Sequence, residues 1–139
     1  MRSLRASLSA VAGRLGTERG SAPAEFVMVA ALLTLMTLSV FQLGLALHVK
    51  NTVLDAAAEG ARYGALADNT PADGAARTRD LITVALGAGY ASDVTASLGN
   101  YLDHPAVAVT VRTPLPLIGL VGIDKGLEVT GHAARETLG

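Results

Sequence analysis

The sequence predicts an α+β protein in which a long N-terminal helix crosses a membrane and carries a small domain with one further helix and a two- or three-stranded antiparallel sheet. Three observations lead there. Residues 26–47 hold no charged side chain. Beyond them apolar residues recur every four positions, and near the C-terminus the repeat shortens to two. A chain of 139 residues has room for one such domain beside a membrane segment, not for two.

Residues 1–20 form a basic leader, with Arg2, Arg5, Arg14 and Arg19 set against a single acid, Glu18. The uncharged block over residues 26–47 follows; at ~1.5 Å rise per residue it is long enough to cross the ~30 Å hydrocarbon core. Gln42, Gly44, Thr34, Thr37 and Ser39 interrupt it without breaking it, because the hydroxyls can bond back to the helix backbone. Four arginines precede the block, and only Lys50 and Arg62 follow it closely. The positive-inside rule therefore places the N-terminus in the cytoplasm and the domain outside. The helix is expected to continue to about residue 66, since Val49, Val53, Ala57, Ala61 and Ala65 keep a four-residue spacing with Asp55, Glu59 and Arg62 off that stripe. The expected organisation is thus a leader over 1–20, a helix over 21–66 that spans the membrane at about 26–47, and an extracytoplasmic α+β domain over 67–139.

Asp68, Asn69, Thr70 and Pro71 end the first helix, and Thr70 before Pro71 reads as the cap and first residue of a second. That helix is expected over residues 71–86, with Ala75, Leu81, Ile82 and Ala85 inward, Arg77 and Arg79 outward, and Gly87 and Gly89 stopping it. Val107, Val109 and Val111 then alternate with smaller or polar residues, as a half-buried strand does. Leu127, Val129, Gly131 and Ala133 alternate likewise and are expected to pair with them, while Val94, Ala96 and Leu98 are candidates for a third strand. Between the two main strands lies an apolar loop containing Pro114, Pro116 and the run 117–123, too short to span a bilayer and read as packing on the sheet.

Composition removes several functions. The net charge is -1 and no basic cluster is interleaved with aromatics, which argues against nucleic-acid binding. Absence of cysteine excludes disulfides, thiolate metal sites and a cysteine nucleophile. His48, His104 and His132 stand apart from any ligand at metal-binding spacing, and the serines lack a nucleophile-elbow setting. No catalytic, metal or cofactor site is expected, no small-molecule substrate, and no enzyme.

The residues that do point to a function lie at the start of the apolar block, in Arg19-Gly20-Ser21-Ala22-Pro23-Ala24-Glu25-Phe26. Glu25 places a carboxylate where burial in lipid is costly. Either it rests in the headgroup region, favoured by a helix N-terminus, or it has a role. This stretch resembles the N-terminus of type IV prepilins, most closely that of the TadE-like minor pilins, or pseudopilins, of the bacterial tight-adherence (Flp) pilus system. Gly20, Ser21, Glu25 and Phe26 occupy the places of the leader's last Gly, the first mature residue, the Glu at the fifth mature position and the aromatic that follows it. The segment Glu59-Gly60-Ala61-Arg62-Tyr63 within an Ala-rich run is similar to one typical of TadE-like helices.

The resemblance implies cleavage after Gly20 by a membrane-bound prepilin peptidase, which would leave 119 of the 139 residues. It implies that Glu25 pairs with the new α-amino group of a neighbouring subunit in apolar surroundings. The partners implied are the membrane, the peptidase, other pilins or pseudopilins and the pilus assembly platform, and the place is the bacterial cytoplasmic membrane or the pilus and its base. Pro23 departs from the small residues usual there; it would fall in the first turn of the mature helix, where a missing N–H costs little. Ala56, Gly60 and Gly64 form a small-residue ladder, read as packing under the chain's own domain, with packing on another subunit as the rival. The rival functions are an uncleaved single-pass protein with a partner-binding outer domain and, behind it, a secreted protein cut near residue 59.

Overall fold

A computed structural model describes residues 2–116 and 126–138, with side chains described from Gly20 onward. The apolar run 117–123 and the side chains of the leader arginines lie outside that description. The elements are α1 (Arg2–Ala65), α2 (Pro71–Leu86), a short 3-10 turn (Ala88–Tyr90), β1 (Asp93–Tyr101), β2 (His104–Thr113) and β3 (Leu127–Ala134). The expected α+β class holds, with three strands and one further α-helix. By internal contacts the chain divides between Phe41 and Gln42 into two units.

The first unit is helix. From Phe26 to Phe41 large apolar side chains are exposed on consecutive positions, Phe26, Val27, Met28 and Val29 among them, and steps of ~100° carry four such neighbours all round the axis. A helix apolar on every side has no wet face and matches hydrocarbon rather than water. Its hydroxyls are satisfied internally: Thr34, Thr37 and Ser39 each donate to the carbonyl four residues back, at 2.8 Å. By length and composition the helix can cross a membrane.

In the second unit the core lies between one face of the sheet and the two helices. Strand order is β1-β2-β3, all antiparallel. The expected pairing of the two main strands is found, with Val107 opposite Ala133, Val109 opposite Gly131 and Val111 opposite Val129. The alternation in β2 sends Val107, Val109 and Val111 into the core, each fully buried. The stripe Val49, Val53, Ala57, Ala61 and Ala65 is buried along its whole length, so the C-terminal part of α1 is one wall of this core. On the outer face Thr110 and Thr130 share a hydroxyl hydrogen bond at 3.0 Å, and Arg112 donates to Glu128 at 2.7 Å. That bond, with the carboxylate's charge, raises the Arg112 pKa above its ordinary value.

Helix α2 begins as expected. Thr70 Oγ1 accepts from the Asp73 backbone N–H while Asp73 accepts from the Thr70 N–H, a reciprocal cap with Pro71 behind it. The two hydrogen bonds from Thr70, side chain first, hold the Asp73 carboxyl below the usual carboxylate range. Gly87, at φ 106°, closes the helix by donating to the carbonyls of Ile82 and Thr83 in a conformation that favours glycine. Ala75 and Ile82 point inward as expected and Leu81 is half-buried, but Ala85 is exposed. The helix turns Gly74 and Thr78 inward beside Ala75 and Ile82, and that face leaves Ala85 outside. Two of the free carbonyls at the end of α1 are also met: the Asn69 amide donates to Tyr63 at 2.8 Å and the Glu136 backbone to Ala65 at 2.9 Å.

Candidate functional site

The candidate residues fall into two groups, one in each unit. Gly20, Ser21, Glu25 and Phe26 lie on α1 at the start of the apolar block, all exposed. Space does not explain the glycine, since a Cβ at position 20 would meet nothing within 4 Å. In a helix interior Gly costs about 1 kcal/mol and Pro about 3 kcal/mol relative to Ala, and Pro23 stands inside α1. The expectation of a first-turn proline applies only to a chain that starts at Ser21. In the intact chain Pro23 lies within helix on both sides, where position 23 has no N–H for the carbonyl of residue 19. The helix is therefore locally weak over residues 19–23.

Ser21 and Glu25 are four residues apart and share a face, and Phe26 begins the apolar surface, 74% exposed. Glu25 makes no hydrogen bond or ion pair among the described residues. A carboxylate beside an apolar surface, with no partner among the described residues, gains most from a cation that comes from outside its own chain. Hydrolysis of the Gly20–Ser21 peptide would generate such a group, because water adds across the bond to leave a carboxylate on Gly20 and an ammonium on Ser21.

The second group, Ala56, Gly60 and Gly64, faces α2. A Cβ at Gly60 would strike Thr78 Oγ1 and come within 2.6 Å of the Gly74 carbonyl oxygen, and one at Gly64 would lie 3.0 Å from the Thr70 carbonyl oxygen. Thr78 is fully buried, and its hydroxyl donates to the carbonyls of Gly74 at 2.9 Å and Ala56 at 3.3 Å. The small residues thus let two helices of one chain meet backbone to backbone. Gly131 does the same for β3, since a Cβ there would come within 2.5 Å of the Ala57 carbonyl carbon and the Ala58 nitrogen. Gly74 and Thr78 did not stand out in the sequence, and Gly131 did so only as a member of the strand alternation, although glycine and threonine in line with an apolar stripe are the available signal.

Chemistry of other kinds finds little to use. Glu59, Tyr63, Asp73, Arg77 and Asp80 line a hollow beside α2, yet Asp73 serves the helix cap and Glu59 lies 3.9 Å from Arg62. His132 stacks on Tyr101 at 4.3 Å between ring centroids. Among the described residues there is no group of three or more His, Asp or Glu side chains placed to hold a metal ion.

An all-round apolar N-terminal helix joined to a small α+β unit defines the class of a membrane-anchored protein. Residues 20–62 match the family model described as TadE-like protein, which bears out the TadE-like resemblance drawn from the motifs. The match runs from Gly20 through the apolar block to Arg62, taking in Ala56 and Gly60 of the small-residue ladder but not Gly64, and a protein associated with the tight-adherence pilus is what it suggests. No curated protein and no solved structure matches the chain.

Proposed function

We propose that the protein is a minor pilin or pseudopilin of a tight-adherence (Flp-type) pilus, a structural or assembly component and not an enzyme. It is inserted with its N-terminus in the cytoplasm, held in the cytoplasmic membrane by residues 26–47, and cut after Gly20 by a prepilin peptidase. Its domain over residues 67–139 stands outside the cytoplasm. The observation that carries this reading is the coincidence of a TadE-like match that starts at residue 20 with a Glu25 that has no partner among the described residues and lies beside an apolar surface that begins at Phe26.

In this reading Glu25 is an assembly contact. The ammonium of Ser21 on an adjoining pilin-like subunit neutralises it, and apolar surroundings make an unpaired arrangement costly enough to enforce register. Glu25→Ala is expected to insert and be processed normally but to reduce pilus assembly, read as filament protein sheared from cells. Normal assembly by that variant would remove the charge-pair role. The alternative, an uncleaved single-pass protein whose outer domain binds a partner, is favoured if the chain retains Met1 in cells that hold the peptidase.

A further inference from the structure

Helix α1 continues without a break through the bond assigned to the peptidase, from Arg2 to Ala65. A peptide bond inside an α-helix is folded into its own hydrogen-bonded turn, and proteolysis acts on the locally opened form. Two residues near this bond oppose helix. Gly20 is the last residue before it, and Pro23 lies three positions further on. Neither is explained by packing: the space around Gly20 is open and Pro23 is exposed. The hydrogen bond that Pro23 cannot donate would have closed the turn from residue 19 to residue 23. That turn contains the Gly20–Ser21 peptide.

We propose that Pro23, together with Gly20, keeps this one turn of α1 prone to open so that a peptidase receives the Gly20–Ser21 bond in extended form. The inference rests on the processing reading above. Pro23 is a positioning residue in it: it touches neither the water nor the peptide that react, and acts through the backbone of the turn it weakens. The same property leaves the mature helix intact, because after cleavage Pro23 is its third residue, where no intrahelical N–H is required. A feature that destabilises the helix before processing thus becomes harmless afterwards.

The test uses the full chain in lipid vesicles, with and without membranes that contain a prepilin peptidase, and compares the wild type with Pro23→Ala and Pro23→Gly. Both substitutions restore the N–H; only glycine keeps the turn weak, though less so than proline. Cleavage, followed by the mass of the product, is expected to be fastest for the wild type, intermediate for Pro23→Gly and slowest for Pro23→Ala, with about a ten-fold or greater loss in the last. Without peptidase, amide hydrogen exchange at residues 20–22 is expected to slow in the same order, a readout that direct recognition of the proline ring would not move. A wild type cleaved after Gly20 together with an equally fast Pro23→Ala would overturn the inference and leave the processing reading standing. Pro23→Gly as slow as Pro23→Ala, or unchanged exchange in both, would also overturn it. A wild type that stays uncut would remove the processing reading itself and this inference with it.

Discussion

Replacing Gly131 by alanine tests how the sheet is held against α1. The added methyl would stand 2.5 Å from the Ala57 carbonyl carbon, 2.5 Å from the Ala58 nitrogen and 2.6 Å from the Ala57 oxygen. All three are helix backbone, so no side-chain rotation relieves the clash, and strand and helix must separate by roughly 1 Å to reach ordinary contact. Overpacking of a core costs about 1–3 kcal/mol, and an obstacle of backbone argues for the upper end. Removal of glycine from a strand returns about 0.5–1 kcal/mol. The net loss is then about 2 kcal/mol, or a ~30-fold rise in the open population. Gly99→Ala is the matched control, since a Cβ there meets nothing within 4 Å, and it should stabilise slightly. Amide hydrogen exchange at Val107, Val109 and Val111, measured on the full chain in detergent micelles, reads both effects. Exchange in Gly131→Ala that is no faster than in the wild type would refute the close-approach argument.

Further outcomes follow from the same packing. Ile82 is fully buried between α2 and the rest of the core, so Ile82→Ala is expected to lose about 2–5 kcal/mol in denaturant unfolding of the domain, while Val84→Ala, at an 89% exposed position, should change little. Thr70→Ala removes the side-chain half of the α2 cap and is expected to cost about 0.5–2 kcal/mol by the same measurement. Because the folded-state pKa of Asp73 is lowered by its Thr70 hydrogen bonds, its contribution is present above the unfolded value of ~3.9 and is lost as pH falls through the lower folded value. A carboxyl titration followed by NMR should place Asp73 below the ordinary value and move it part of the way back in Thr70→Ala, which loses the hydroxyl bond but keeps the backbone N–H of residue 70.

Much of the architecture was legible because its signals are periodic and local. A four-residue repeat from Val49 to Ala65 can only be one face of a helix, Thr70-Pro71 marks a helix start through its cap chemistry, and three alternating valines in β2 require a sheet with one covered side. On α1 the ladder Ala56, Gly60 and Gly64 is visible in the sequence and reads as packing under the chain's own domain; what escaped was the surface of α2 that meets it. Apolar character alone predicts Ala85 inward, yet the α1–α2 contact is governed by Gly60, Gly64, Gly74 and Thr78, where backbone approach matters more than apolar area. The hairpin between β1 and β2 gave no warning either: Leu102 and Asp103 both take positive φ, 51° and 63°, in a turn that sequences usually announce with Asn or Gly. At the candidate site the motif from Gly20 to Phe26 was visible as residue types. The placement of Pro23 inside an uninterrupted helix was not, because its position in the helix depends on whether the leader is still attached.

The central claim is that this helix begins its working life at Ser21. The most direct measurement is the intact mass and N-terminal sequence of the protein recovered from membranes of cells that contain a prepilin peptidase. The account predicts a chain of 119 residues that begins Ser21-Ala22-Pro23, and an uncut product when Gly20 is replaced by leucine. Recovery of the full 139 residues with Met1 intact from those membranes would contradict it.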